Sequence, residues 1–248
     1  MPIFALNYLY TKNNMNNLYQ NYLNILNKIE SATKKTKRNP DDIKILAVSK
    51  AQNIEVLTDA INAGIPIFAE SYAQEFRDKY NLLINSNAEL KRCEFHFIGH
   101  LQTNKVKYVV PNATTIHTID TIKLANEVNK YSEKFAKKTN VFIQINTSAE
   151  ENKSGINPEQ CVNFSQKLLH LKNINLIGLM TIGTFSNDEK IIRQEFVTLF
   201  ECLKEINNIN GTNLKELSMG MSHDFEIAIE EGATMVRIGT AIFGERNY

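Results

Sequence analysis

Along this chain, short apolar runs alternate with longer stretches in which apolar residues recur every three or four positions. The short runs lie at 44–48 (KILAV), 66–69 (PIFA), 94–98 (EFHFI), 114–118 (TTIHT), 141–145 (VFIQI), 174–180 (INLIGLM), 215–218 (KELS) and 235–238 (MVRI). Their length and their β-branched and aromatic content predict buried strands. Between them, amphipathic stretches near 53–63, 71–85, 102–109, 121–138, 158–170, 188–207 and 222–231 predict helices. Before the first strand, NLYQNYLNILNKIESATKK places Leu18, Tyr22, Ile25, Leu26 and Ile29 on one helical face, and NPDD at 39–42 ends it. Roughly eight strand–helix units in a chain of 248 residues is the count of a (β/α)8 TIM barrel. A doubly wound open sheet shows the same alternation. The strand count and the absence of a G-x-G-x-x-G after the first strand favour the barrel, with an extra helix at its amino terminus. No Pro/Gly/Ser-rich linker interrupts the rhythm, so one domain is expected.

Composition narrows the function classes. Net charge is +1, so no global field draws the protein to nucleic acid or to a membrane surface. The KKTKR cluster at 34–38 suits the carboxyl end of a helix, where cations complement the dipole. Three cysteines, Cys93, Cys161 and Cys202, are far apart and form no C-x-x-C pair, which favours a reducing compartment. No basic signal-peptide region and no run of ~20 apolar residues is present, so a cytoplasmic protein is expected. No long exposed apolar stripe calls for a second copy, and a monomer is expected.

Candidate chemistry gathers at strand ends. In a barrel the reactive groups sit at the carboxyl ends of the strands. Lys50 ends the first such run, where a lysine ordinarily only reaches for water. Arg237 lies inside the last strand between Val236 and Ile238, a costly place for an unpaired charge. Gly239 and Thr240 follow at once and open a short helix; LSMGMS at 217–222 supplies Gly220 and Ser222 after the seventh strand. Small-residue turns after strands seven and eight are a recurrent phosphate site in barrels, although Ser222 could equally be a plain helix cap. A lysine, an arginine and a phosphate cup together suit pyridoxal 5′-phosphate, whose aldehyde forms a Schiff base with lysine. His96 and His100 have no third ligand nearby in the sequence, so a metal site is not expected; Glu70 and Glu75 do not suggest a glycosidase pair.

The motifs LAVSK (46–50), HFIGHLQTNK (96–105), NKSGI (152–156), GLMTIG (178–183), LSMGMS and MVRIGTAIFGER (235–246) occur in order. With them the chain closely resembles the pyridoxal phosphate homeostasis proteins, single-domain relatives of the amino-terminal barrel of alanine racemase. The resemblance covers about Met15 to the end, which makes 15–248 the barrel and 1–14 a loosely held leader. It implies that Lys50 carries the cofactor as an aldimine and that Arg237 faces the pyridine nitrogen. Ser222, Gly239 and Thr240 would hold the phosphate, helped by Ser218. It implies a carrier or regulator of pyridoxal phosphate supply, with apo forms of pyridoxal-phosphate enzymes as recipients. The chain also departs from the family pattern. Ala51-Gln52-Asn53 replaces the usual Thr-Lys-Pro, and Ser71 stands where relatives place an asparagine near the cofactor. His223 and Phe95 replace a small or acidic residue and a tryptophan.

An amino-acid racemase is the competing expectation. Racemisation needs a base on each face of the reacting carbon, and Lys50 serves one face. In alanine racemase the second base comes from a carboxyl-terminal domain, whereas this sequence runs only to Tyr248. A cation ~4 Å from the ring nitrogen also costs its protonated form roughly 4 kcal/mol at an effective dielectric near 20, about three pKa units. Binding without substantial turnover is therefore expected.

Overall fold

The computed structural model describes residues 3–86, 92–148, 150 and 153–245. Strands β1 (Lys44–Val48), β2 (Ile67–Glu70), β3 (Glu94–Phe97), β4 (Thr115–Ile119), β5 (Thr139–Gln144), β6 (Ile174–Met180), β7 (Glu216–Met221) and β8 (Met235–Ile238) close in sequence order into one barrel. All neighbours are parallel, and β1 closes on β8 with Leu46 beside Arg237. Around it run α1 (Ile3–Thr36), α2 (Ile54–Asn62), α3 (Ala73–Ser86), α4 (Val106–Val109), α5 (Ile122–Lys134), α6 (Cys161–Leu169), α7 (Glu189–Asn210), α8 (Phe225–Glu230) and α9 (Thr240–Phe243). The expected (β/α)8 architecture and single domain are observed, and three strands match their predicted limits.

Successive strand residues point to opposite faces, and this sorts the core into two shells. On β1, Ile45 and Ala47 pack outward under the helices with Phe68, Phe95 and Phe97. Leu46 and Val48 point into the lumen with Ile67, Ala69, Phe142, Met180 and Met235. Each fully buried phenylalanine contributes roughly 1.5–3 kcal/mol by leaving water. Helix starts are set by side-chain caps: Asn53, Thr121 and Asp188 accept from the backbone N–H of Val56, Leu124 and Lys190. Gly211, at φ 62°, ends α7 in the left-handed conformation that suits glycine.

Other boundaries differ from the sequence expectation. The helix expected over 102–109 is a 3-10 turn at Thr103–Lys105 followed by the short α4. The strand expected to end at Ser218 continues to Met221. The helix expected from Ser222 starts only at Phe225. The first helix, expected from Asn17, begins at Ile3, so residues 3–14 continue α1 without a break at Met15; Met1 and Pro2 lie outside the described residues. Among the described residues no helix is long and apolar enough to cross a membrane.

Candidate functional site

At the carboxyl end of the barrel a cavity of about 280 Å³ opens over the lumen. That is near the low end of the ~300–1,000 Å³ range of small-molecule sites. Lys50, Ser71, Ser222, Arg237, Gly239 and Thr240 all line it, with Val48, Ile98 and Ile182 as apolar walls and Phe185 and His223 at its edge. A groove of about 700 Å³ on the barrel's outer surface, beside Glu201 and Glu205 of α7, is larger. It lies away from the strand ends and gathers no comparable set of convergent groups, so chemistry selects the smaller cavity.

Lys50 is held through its chain neighbours. Ser49 donates its hydroxyl to Glu70 Oε1 at 2.7 Å, and its carbonyl accepts from Lys79 Nζ at 2.8 Å. On the other side, Ala51 N–H donates to Glu75 Oε1 at 2.7 Å. Lys79 binds both carboxylates, at 2.9 Å to Glu70 and 2.6 Å to Glu75. Ala51 sits at φ 62°, a left-handed conformation that is unusual for a residue with a Cβ. These contacts tie the turn bearing Lys50 to β2 and α3. Glu70 is 1% exposed, and burial holds its carboxyl above the ordinary carboxylate range against the pull of Lys79 and Ser49.

Arg237 is 5% exposed, and it projects into the lumen because it alternates with outward-facing Val236 and Ile238. Its Nη1 donates to Ser218 O at 2.8 Å and Ser218 Oγ at 2.9 Å, and its Nη2 donates to Thr181 O at 2.7 Å. Burial pushes its pKa down to about 10, opposed by the charge of Asp224, so it remains a cation at neutral pH.

The two turns beside Arg237 follow from backbone chemistry. Gly220 has φ 88°, and a Cβ there would meet Ala228 Cβ at 2.5 Å. Only glycine allows β7 to run so close to α8. Asp224 Oδ1 accepts from Met221 N–H at 2.5 Å and precedes α8, so Ser222 is not that helix's cap and is left on the cavity wall. After β8, Gly239 leads into α9, whose first N–H groups have no partner within the helix. Gly99, just after β3, approaches Ser71 so closely that a Cβ would meet the Ser71 carbonyl oxygen at 1.9 Å, which seats Ser71 against that loop.

Of the expected site residues, Ser218 alone is placed differently. It is 0% exposed behind Arg237, bonded to the guanidinium and to His117, and reaches the cavity only through them. The family resemblance groups it with the phosphate. Its position within β7, four residues before Ser222 in the turn that follows, puts it deeper in the lumen. Missing from the sequence reading were the apolar walls, His117, and the Lys79 contact that joins Glu70 to Glu75. Strand alternation with the outward-facing Ile116 could have placed His117 inward. Nothing local marks Lys79, which lies on a helix and meets its partners only after folding.

Most of this chain is similar to known proteins. Residues 21–247 match the family "Alanine racemase, N-terminal domain". A protein of Aquifex aeolicus named pyridoxal phosphate homeostasis protein is 41% identical over 217 residues, covering 88% of this chain and 93% of its own. A crystal structure of an unknown protein from Bifidobacterium adolescentis superposes with a TM-score of 0.86 at 34% identity, covering 93% of this chain and 96% of the other. PipY of Synechococcus elongatus, solved with PLP bound, superposes with a TM-score of 0.75 at 26% identity, covering 88% of this chain and all (100%) of its own.

Proposed function

The chain belongs to the pyridoxal phosphate homeostasis proteins, within the alanine racemase N-terminal domain family, and on that premise we propose that it binds pyridoxal 5′-phosphate in the cavity at the barrel mouth to regulate its supply. The observation that carries the reading is the convergence of Lys50, Arg237, Ser222 and Thr240 on one small cavity. When bound, the cofactor supplies an aldehyde that condenses with an amine, a pyridine ring and a phosphate. Lys50 provides the amine for a Schiff base. Arg237 presents a cation to the ring nitrogen and keeps it unprotonated. Ser222 and Thr240, with the N–H groups that open α9, hold the phosphate. Ile98, Ile182 and Val48 give the ring an apolar bed and displace water from it.

The residues fit the group electrostatically as well as sterically. Arg237 is bonded to neutral oxygens, so its charge stays available to an anionic ligand. A carrier needs only a reversible bond to Lys50 and a phosphate cup, and the relatives' name points to homeostasis rather than turnover. Apo forms of pyridoxal-phosphate enzymes are the recipients this role requires.

Borohydride reduction of the loaded protein, followed by peptide mapping, tests the reading. The pyridoxyl mass should fall on the peptide containing Lys50, and Lys50→Ala should stay folded while losing the near-visible absorption band. A label on another lysine, or on none, would sink it. Incubation with single-enantiomer amino acids should give no steady racemisation. Turnover above about one per second, an ordinary enzymatic rate, would favour a racemase instead.

A further inference from the structure

Below the cavity, the lumen holds two buried histidines, His96 on β3 at 1% exposure and His117 on β4 at 0%. Glu94 Oε2 lies 3.1 Å from His96 Nε2; His96 Nδ1 lies 2.9 Å from His117 Nε2; His117 Nδ1 lies 3.0 Å from Ser218 Oγ. Ser218 Oγ is the side-chain atom that accepts from Arg237, beside the Ser218 and Thr181 carbonyls. The His117 ring stacks on Phe142, centroids 4.3 Å apart and planes 14° apart, which fixes its orientation. Glu94 opens β3 with a side chain 55% exposed, at the end of the barrel opposite the cavity. One continuous file of polar groups therefore joins a surface carboxylate to the guanidinium in the site.

Burial gives this file a direction. A guanidinium has only donors, so Ser218 Oγ accepts from Arg237 and its own hydrogen needs another acceptor. Buried hydroxyls are paired as a rule, and His117 Nδ1 is within reach. Neutral His117 then carries its proton on Nε2 and donates to His96 Nδ1, and His96 carries its proton on Nε2 and donates to Glu94. Desolvation lowers the pKa of both rings, and His117 is further disfavoured as a cation by His96 and Arg237. Every donor points from Arg237 towards Glu94. The oxygen of the serine thus faces the cation, and the proton of the last imidazole faces the carboxylate. Protonating His96 would reverse the file: His117 would donate to Ser218, whose hydroxyl hydrogen would lose its acceptor.

We propose that His117 is a positioning residue for the cofactor contact: through Ser218 it holds the Arg237 guanidinium against the ring nitrogen of bound pyridoxal phosphate, with His96 and Glu94 fixing its tautomer. The proposal rests on the cofactor reading above.

Two measurements test it. On the ¹⁵N-labelled apo protein, long-range imidazole correlations at neutral pH should show His96 and His117 both neutral with the proton on Nε2. A proton on His117 Nδ1, or an imidazolium there, overturns the proposal without touching the cofactor reading. Binding titrations then use pyridoxal phosphate and its 1-deaza analogue, which has carbon in place of the ring nitrogen. His117→Phe should weaken pyridoxal phosphate about tenfold, the scale of one lost hydrogen bond, and the analogue less than twofold. His117→Asn, whose Oδ1 can accept from Ser218, should recover to within about threefold of wild type. Equal losses for both ligands, or no recovery in His117→Asn, would reduce His117 to a packing role and overturn the proposal. If wild type binds neither ligand, the cofactor reading falls and this proposal with it, whichever tautomers are found.

Discussion

Lys79 and Arg237 are both buried cations near the barrel mouth, 8% and 5% exposed, and the protein satisfies them in opposite ways. Lys79 is surrounded by acid: Glu70 and Glu75 both bind it, with the Ser49 carbonyl as a third acceptor. Arg237 donates to neutral oxygens, of Ser218 and Thr181, and the charge of Asp224 acts on it without a hydrogen bond. Carboxylates cancel a charge as they orient it, whereas carbonyls and hydroxyls orient it and leave its field intact. The first arrangement makes a strut that stiffens the turn around Lys50. The second makes an oriented positive group facing a cavity, as an anionic ligand requires. Two cations of similar burial thus serve different purposes, and the partner chemistry rather than the burial tells them apart.

The sharpest way to break this comparison is to remove each cation. Lys79→Met leaves the buried Glu70 and the half-buried Glu75 against an apolar chain and should cost about 3–5 kcal/mol in urea unfolding. Adding Glu70→Leu should recover part of that loss. Arg237→Met leaves only neutral acceptors unpaired and should cost less, about 1–3 kcal/mol, while pyridoxal phosphate affinity falls at least tenfold. If Arg237→Met were the more destabilising of the two, the distinction between strut and oriented charge would fail.

The phosphate turns sharpen the Arg237 side of the comparison. Charge-assisted bonds are worth about 1.5–3 kcal/mol each, so Ser222→Ala with Thr240→Ala should weaken pyridoxal phosphate at least tenfold. Unphosphorylated pyridoxal should bind wild type much more weakly and lose little more in the double variant. Unchanged affinity for pyridoxal phosphate would remove both residues from the site.

A smaller effect should appear with acid. His96 and His117 have folded pKa values below the ordinary ~6.5 of the unfolded chain. As pH falls below ~6.5, the unfolded chain takes up protons that the native lumen refuses. Stability present above that pH is then lost, by up to about 1.4 kcal/mol per pH unit for each imidazole, until the folded pKa is reached. Urea midpoints from pH 7 to 5 measure the slope, and His117→Phe should remove about half of it. A flat profile in wild type would mean that the two rings are not held neutral. Least affected should be a chain beginning at Met15, which keeps every residue of both cation sites. We expect pyridoxal phosphate affinity within about twofold of the full chain and a similar melting temperature. A large drop in melting temperature would assign residues 1–14 a packing role.

What the sequence determined by itself was the alternation of elements and the chemistry at strand ends. Buried parallel strands are continuous apolar runs, so KILAV, INLIGLM and MVRI were legible to the residue. Lys50 and Arg237 stood out because a charge at the end of, or inside, such a run needs a reason. Boundaries that depend on a single backbone angle were less legible: β7 runs on to Met221, and α8 waits for Phe225, because Gly220 turns at φ 88° and Asp224 takes the Met221 N–H. Only the tertiary structure decided which polar residues meet. Ser218 was expected at the phosphate and lies behind Arg237. Glu70 and Glu75 became a pair through Lys79. His117, from the middle of the fourth strand, joined residues of the third and seventh. These contacts lie up to 101 positions apart in sequence, as for His117 and Ser218. Closing the sheet into a barrel points the alternate side chains of every strand at one axis, so strand register rather than sequence distance sets the partners there.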